Sequence, residues 1–200
     1  NLVQGDTLEK LVAAMPAPPN DAWLLKLLDP LTAALAVVHH ADVFHRDIKP
    51  ANVVLVPGSQ RPVLLDFGAA RQVIDKSVQL TGILTHGYAP IEQYDGSGMP
   101  QGAWTDIYAL AASVHWMITG EVPPNANTRQ VKDRYLPLSK RLAGQYSDRL
   151  LKTLDACLAV DPTKRPQSID DLRSRLALQA GAFGLDSVAP KVTVKRKFGP

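Results

Sequence analysis

The run His45-Arg46-Asp47-Ile48-Lys49-Pro50-Ala51-Asn52 decides how this chain folds, because polar side chains stand there directly before a short β-branched segment. Residues 52–56 and 62–65 have the composition of two small strands, and Pro57-Gly58-Ser59 between them is typical of a turn. The sequence therefore predicts a β-hairpin that carries polar residues at both of its ends.

Four of these polar residues should meet in space. Asp47, Lys49 and Asn52 lie before or at the start of the first strand and Asp66 follows the second, and a hairpin brings its two ends together. The oxygens of two carboxylates and one amide suit a hard cation such as Mg²⁺, and the ammonium suits a phosphate. The set meets the needs of phosphoryl transfer, which are a metal, charge neutralisation and an acceptor for a hydroxyl proton.

The run at 45–52 resembles the catalytic loop of protein kinases, and Asp66-Phe67-Gly68 resembles their metal-binding triplet. A lysine two residues after the aspartate is the form found in Ser/Thr kinases. The resemblance covers nearly the whole chain and implies an α+β, protein-kinase-like fold. This would be a mainly helical C-terminal lobe with a short hairpin at the catalytic loop and with the N-terminal lobe absent. It also implies a non-specific Ser/Thr protein kinase that transfers the γ-phosphate of ATP, with Mg²⁺ or Mn²⁺, to a protein substrate.

The resemblance gives a role to each residue of the transfer site. Asp47 would orient the substrate hydroxyl and accept its proton, and Lys49 would steady the γ-phosphate. Asn52 and Asp66 would hold two metal ions, and Val54 would form the floor under the adenine ring of ATP.

Four further residues would support that site. His45 is expected to pack against Phe67, which lies under the site in the family. Arg46 would pair with a phosphate on the activation loop, although pairing with a carboxylate is the alternative for a buried arginine. Asp106 would receive backbone N–H groups from the catalytic loop.

Residues 66–92 correspond to the activation segment, and its end departs from the family pattern. In Thr85-His86-Gly87-Tyr88-Ala89-Pro90-Ile91-Glu92 the usual Ala-Pro-Glu has become Ala-Pro-Ile-Glu. This variant resembles a branch of bacterial Ser/Thr kinases. Glu92 keeps its place and should form a buried salt bridge with Arg165.

Three hydroxyl residues of that segment are candidates for function. Thr85 matches the family threonine that bridges the catalytic aspartate and lysine and would help to select Ser or Thr substrates. Ser77 and Thr81 are candidates for regulatory phosphorylation, with an ordinary loop hydroxyl as the alternative for each.

The domain prediction places a kinase C-terminal lobe at 1–180, with the end of a hinge at 1–6, and a basic linker or tail at 181–200. The Gly-rich loop, strand lysine and helix glutamate of an N-terminal lobe are not found before residue 45. We therefore expect the missing lobe to be a partner of this segment, and low activity from the segment alone.

Helical spacing of apolar residues predicts helices at 7–15, 21–40, 105–119, 147–159 and 168–179. Pro30 should kink the second of these or divide it. Residues 66 to about 100 read as loop, and Pro123 to Arg134 as a polar connection.

Composition excludes several classes of protein. Apolar residues make up 46% of the chain, charged residues 20%, and the net charge is +3, which is typical of a soluble globular domain and gives no indication of nucleic-acid binding. We expect no membrane contact within this segment, although an anchor could lie outside it. The single Cys157 can build neither a disulfide nor a Cys-based zinc site, which favours a buried position and a cytoplasmic location.

Two other functions compete with an active kinase. A pseudokinase or scaffold would use the lobe for binding alone, and the altered Ala-Pro-Ile-Glu favours it. A small-molecule phosphotransferase of the aminoglycoside-kinase type shares the loop chemistry, but Arg46, Lys49 and the long segment from Tyr88 to Glu92 suit peptide substrates.

Overall fold

The computed structural model describes residues 4–59, 61–67, 71–72, 87–94 and 97–178. Gly68, Ser77, Thr81, Thr85 and the predicted tail at 181–200 lie outside the described residues.

Short strands frame the predicted hairpin. In chain order the strands are β1 (Asp6–Thr7), β2 (Val43–Phe44), β3 (Val53–Leu55), β4 (Pro62–Leu64) and β5 (Arg71–Gln72). The hairpin is confirmed as the antiparallel pair β3–β4, in which Val53 faces Leu64. Sequence patterns did not predict that β1 pairs with β3 or that β2 pairs with β5, because strands of two residues are too short to show alternation.

Helices are the main regular elements of the described residues. They are α1 (Leu8–Ala13), α2 (Asp21–His39), α3 (Ala103–Thr119), α4 (Ala126–Val131), α5 (Leu138–Arg141), α6 (Asp148–Cys157) and α7 (Ile169–Arg175). Single 3₁₀ turns occur at Pro50–Asn52, Ile91–Gln93 and Pro162–Lys164.

Capping residues mark where several of the helices begin and end. Asn20 Oδ1 accepts a hydrogen bond from the Trp23 N–H at 3.0 Å, and Ser168 does the same for Asp171 at 3.1 Å. Gly120 ends α3 in the left-handed conformation, with φ +75°, which glycine adopts without a steric penalty. Ser168 and Gly120 lie at boundaries predicted for the helices at 168–179 and 105–119.

Pro30 does not divide α2, contrary to one of the two outcomes expected for it. One helix runs from Asp21 through the proline to His39. The proline removes a single backbone donor, and buried leucines before and after it, Leu28 and Leu31, hold both halves against the same core.

The core is built around α3. Every residue from Thr105 to His115 is buried, so this helix is covered on all sides rather than along one stripe. Helices α6 and α7 contact α3, and α2 contacts α7. By length and composition alone α2 could cross a membrane, but it contributes five buried leucines to this core.

The polar connection predicted from Pro123 to Arg134 contains a helix, α4. Its Arg129 is 5% exposed and pairs with Asp133 at 3.0 Å, while Nη1 donates to the carbonyl of Leu158 at 2.7 Å. A buried arginine takes the place of an apolar residue there, so the spacing of apolar residues could not reveal the helix.

Candidate active site

The loop at 45–52 is fixed to the central helix through Asp106. The Asp106 carboxylate, which is completely buried, accepts the His45 N–H at Oδ2 (2.8 Å) and the Arg46 N–H at Oδ1 (2.7 Å). A carboxylate that takes backbone donors from a loop fixes the path of that loop. This is the contact expected for Asp106 from the sequence.

Sequence reasoning missed a third partner of this carboxylate, His39. Its Nε2 lies 2.8 Å from Asp106 Oδ2 at the end of α2. The two residues are 67 positions apart, so no local pattern could have indicated the contact. Helices α2 and α3 and the catalytic loop therefore meet at one carboxylate.

Two residues of the site have left-handed backbones. Arg46 has φ +69° and Asp66 has φ +61°. Such a conformation costs about 1–3 kcal/mol for a residue other than glycine, and it persists only where the surroundings hold it. The hydrogen bond from the Arg46 N–H to Asp106 is part of what holds the first of them.

Asp47 is held by the two residues with which it was predicted to act. Its Oδ2 lies 2.8 Å from Lys49 Nζ and accepts from Asn52 Nδ2 at 3.0 Å, and the same Nδ2 donates to the Asp47 carbonyl at 2.8 Å. Asp47 and Lys49 side chains are about one quarter exposed, at 30% and 24%. The carboxylate is thus open to solvent while its direction is fixed.

Asp66 follows the second strand of the hairpin, directly after Leu65. The Leu65 N–H donates to the Asn52 carbonyl at 2.8 Å, so the residue after Leu65 stands beside Asn52. The side-chain nitrogen of Asn52 is committed to Asp47, which leaves its Oδ1 as the atom that could ligate a cation.

The donor set fits Mg²⁺ used together with a phosphate. No group of three or more His, Cys, Asp or Glu that could hold a metal occurs among the described residues. Mg²⁺ commonly takes one or two protein oxygens and completes its shell with phosphate and water. One amide oxygen from Asn52 and one carboxylate from Asp66 would provide this number of protein ligands.

The contacts of His45 are those of a structural residue. It is fully buried, its ring lies 4.6 Å from the Phe67 ring at 72°, and Nε2 lies 2.9 Å from the Leu65 carbonyl. A carbonyl can only accept, so Nε2 carries the proton and Nδ1 accepts the Asp47 N–H at 3.3 Å. Phe67 itself is 40% exposed.

Val54 lies in β3 and is 3% exposed. Gly5 makes a close approach to the same strand with φ +146°, where a Cβ would come within 2.4 Å of the Leu55 carbonyl oxygen and 2.7 Å of Val54 Cγ1. Only glycine fits there without a shift. The predicted place of Val54 beneath an adenine ring stays a prediction.

Glu92 and Arg165 form the ion pair expected of them. Arg165 Nη1 lies 2.7 Å from Glu92 Oε1, Nη2 lies 3.1 Å from Oε2, and neither side chain is exposed. The Thr105 hydroxyl donates to Glu92 Oε1 at 3.0 Å, and the Arg165 guanidinium lies 4.8 Å from the Tyr108 ring centroid. The end of the activation segment is thereby attached to α3.

The sequence model of the protein kinase domain matches residues 1–175. Over 203 residues the chain is 28% identical to the serine/threonine-protein kinase PkaA of Streptomyces coelicolor, covering 100% of this chain and 37% of the relative. Over 197 residues it is 30% identical to the serine/threonine-protein kinase PknA of a Nostoc species, covering 95% and 33%. The chain thus spans about a third of the length of these relatives.

A solved structure described as the apo form of PpkA-294 superposes with a TM-score of 0.75 at 42% identity, and the match covers 88% of this chain and 61% of that one. The two chains therefore share a fold over most of the length of this one.

Proposed function

Because this chain belongs to the protein kinase domain family, in its bacterial Ser/Thr branch, we propose that it carries the transfer site of a Ser/Thr protein kinase. The reaction moves the γ-phosphate of Mg-ATP to Ser or Thr hydroxyls of a protein. One observation carries the proposal, which is that Lys49 and Asn52 hold Asp47 Oδ2 at 2.8 and 3.0 Å.

Each residue of the group has a task in that reaction. A carboxylate with a fixed direction aligns the incoming hydroxyl and accepts its proton, and such positioning supplies much of the rate in phosphoryl transfer. Lys49 stands beside Asp47, where its ammonium can also meet a phosphate. Asn52 Oδ1 and the Asp66 carboxylate would hold Mg²⁺ or Mn²⁺, which supplies neutralisation of phosphate charge when it is bound.

We propose further that this segment works as the C-terminal lobe of a longer enzyme and transfers little phosphate by itself. In support, the match to the solved neighbour covers 88% of this chain but only 61% of that chain. An N-terminal lobe, as found in the family, would complete the ATP site above Val54 and would be the closest partner of this segment.

Regulation would act through the activation segment. Ser77 and Thr81 are the proposed sites of phosphorylation. Arg46 would pair with the phosphate group once it is attached, and Thr85 would act beside the transfer centre. Mass spectrometry of the protein after incubation with ATP should find phosphate on Ser77 or Thr81. Full activity with an unmodified loop would overturn this regulatory proposal.

The transfer proposal is tested by Asp47→Asn in the full-length protein. We expect the transfer of labelled phosphate from Mg-ATP to a Ser/Thr protein to fall about 10²–10⁴-fold, because the proton acceptor is lost while the shape is kept. Asp148→Asn is the matched control, since Asp148 is an exposed residue that pairs with Lys152. Undiminished transfer by Asp47→Asn would exclude the assigned role, and an inactive wild type would favour the scaffold alternative.

A further inference from the structure

A side chain outside the transfer group reaches the backbone of the catalytic loop. Gln93 Nε2 donates to the Arg46 carbonyl oxygen at 2.7 Å. A carbonyl cannot donate, so this contact fixes which end of the Gln93 amide faces the loop. Gln93 is half-buried and closes the 3₁₀ turn Ile91–Gln93.

The acceptor belongs to the peptide that joins Arg46 to Asp47. On its other side this peptide offers the Asp47 N–H, which donates to His45 Nδ1 at 3.3 Å. The preceding peptide is held by the bond from the Arg46 N–H to Asp106 at 2.7 Å. The left-handed Arg46 therefore has a hydrogen-bonded peptide on each side, and Gln93 makes the shorter of the two bonds to the peptide that leads to Asp47.

Gln93 has a rigid base from which to do this. The residue before it is Glu92, whose carboxylate is held by Arg165 and Thr105 in the buried interior. The Gln93 N–H also donates to the Pro90 carbonyl at 3.0 Å. Because the turn Ile91–Gln93 is held in this way, the side-chain amide of Gln93 can keep the Arg46–Asp47 peptide in one orientation.

We infer that Gln93 is a positioning residue for phosphoryl transfer: its amide sets the peptide plane between Arg46 and Asp47 and thereby the direction of the Asp47 carboxylate. The inference rests on the kinase function proposed above. It links the end of the activation segment to the catalytic aspartate through one side chain. A misplacement of about 1 Å at a reacting group can lower a rate by about 10²-fold.

Gln93→Ala removes the donor. In the full-length protein we expect kcat for transfer from Mg-ATP to fall about 10–100-fold, while KM for ATP and for the substrate peptide stays within about twofold. Gln167→Ala is the matched control, because Gln167 Nε2 donates to the Arg165 carbonyl at the same 2.7 Å but does not touch the loop. We expect its kcat to be unchanged.

Gln93→Glu tests the hydrogen bond itself, through a pH dependence of kcat that a merely structural role for Gln93 would not produce. Its ionised carboxylate has no proton to donate and repels the Arg46 carbonyl, whereas the protonated acid donates again. The ratio of its kcat to that of wild type should therefore rise as the pH falls from about 7.5 to 5.5, approaching the carboxyl pKa. The corresponding ratio for Gln93→Ala should stay flat. If Gln93→Ala does not fold, Gln93→Met, which keeps the length of the side chain, takes its place.

The outcomes separate this inference from the proposed function. A wild-type kcat in Gln93→Ala, or a flat pH ratio for Gln93→Glu, overturns the role of Gln93 and leaves the kinase proposal intact. A wild type that transfers no phosphate overturns both. Faster hydrogen exchange of the backbone amides of residues 43–52 in Gln93→Ala, but not in Gln167→Ala, would support the conclusion that Gln93 restrains the catalytic loop.

Discussion

Arg165 and Glu92 bind each other through two parallel hydrogen bonds of 2.7 and 3.1 Å, with both side chains wholly excluded from solvent. The partners are 73 positions apart. The pair connects the end of the activation segment to the residue that follows the 3₁₀ turn Pro162–Lys164. A buried pair of this kind is costly to break on one side, because the remaining charge is left without its partner.

Replacing Arg165 with Met should therefore lower the free energy of unfolding by about 3–5 kcal/mol. Arg175→Met provides the control, since Arg175 pairs with Asp171 on the surface, with 44% and 38% of the two side chains exposed. The control should lose no more than about 1 kcal/mol. Urea unfolding followed by circular dichroism measures both, and equal losses would contradict the importance given to burial.

His39→Ala should loosen the catalytic loop as well as the fold. Asp106 would lose its side-chain donor at 2.8 Å and keep only the backbone donors of His45 and Arg46. We expect about 1.5–3 kcal/mol less stability, the usual range for hydrogen bonds to charged groups, and a lower kcat with little change in KM. Thermal melts and steady-state kinetics give the two quantities.

The neighbouring His40 provides the control for this experiment. Its Nδ1 bonds to the Ala36 carbonyl one turn earlier, at 2.7 Å, and to no other group among the described residues, so His40→Ala should leave kcat unchanged. His39→Gln retains a side-chain donor and should recover part of the loss. If His40→Ala and His39→Ala behave alike, the contact with Asp106 has no special role.

Burial raises the pKa of the Cys157 thiol to about 12, so the folded protein holds almost no thiolate at neutral pH. Since the thiolate is the reactive form, Cys157 should not react with a disulfide reagent such as DTNB at about pH 8 while the protein is folded. It should react fully in denaturant. Release of one equivalent of the coloured thiol from native protein within minutes would contradict this.

His115 should make stability depend on pH. Burial lowers its pKa, and Arg141 lowers it further, while the hydrogen bond to the Glu121 carbonyl and the carboxylates of Glu121 and Asp155 raise it. The folded state therefore takes up a proton at lower pH than the unfolded state, whose histidine titrates near about 6.5. Stability is present above that pH and falls as the pH drops below it.

Comparing wild type with His115→Gln tests this contribution. Gln keeps a donor for the Glu121 carbonyl, which His115 Nδ1 reaches at 2.8 Å, but it does not titrate. Urea unfolding between about pH 7 and 5 should show a steeper loss of stability for wild type than for the variant. Parallel curves would rule out His115 as the titrating group.

The sequence was sufficient where a local pattern reports directly on structure. The hairpin, the start of α7 at Ser168 and the end of α3 at Gly120 all follow from turn and capping residues. The grouping of Asp47, Lys49 and Asn52 followed because those residues lie within one loop and its adjoining strand.

Contacts between distant segments were beyond such patterns. His39 and Gln93 bond to the catalytic loop or its anchor over separations of 67 and 47 positions, and neither lies in a motif that requires the contact. Helix α4 was missed because Arg129 fills a core position that an apolar residue would normally mark. These contacts depend on how distant segments pack together, and local sequence patterns do not reveal them.

The pairing of β1 with β3 has a mechanical consequence. Asp6 and Thr7 form a short ladder with Leu55 and Val54, and the strand to which they attach begins at Val53, directly after Asn52. A force applied along residues 5–7 would shear the hydrogen bonds between β1 and β3. The force would be transmitted by backbone hydrogen bonds rather than by side-chain contacts. Tension at the start of the described chain is thus delivered within a few residues of the catalytic loop.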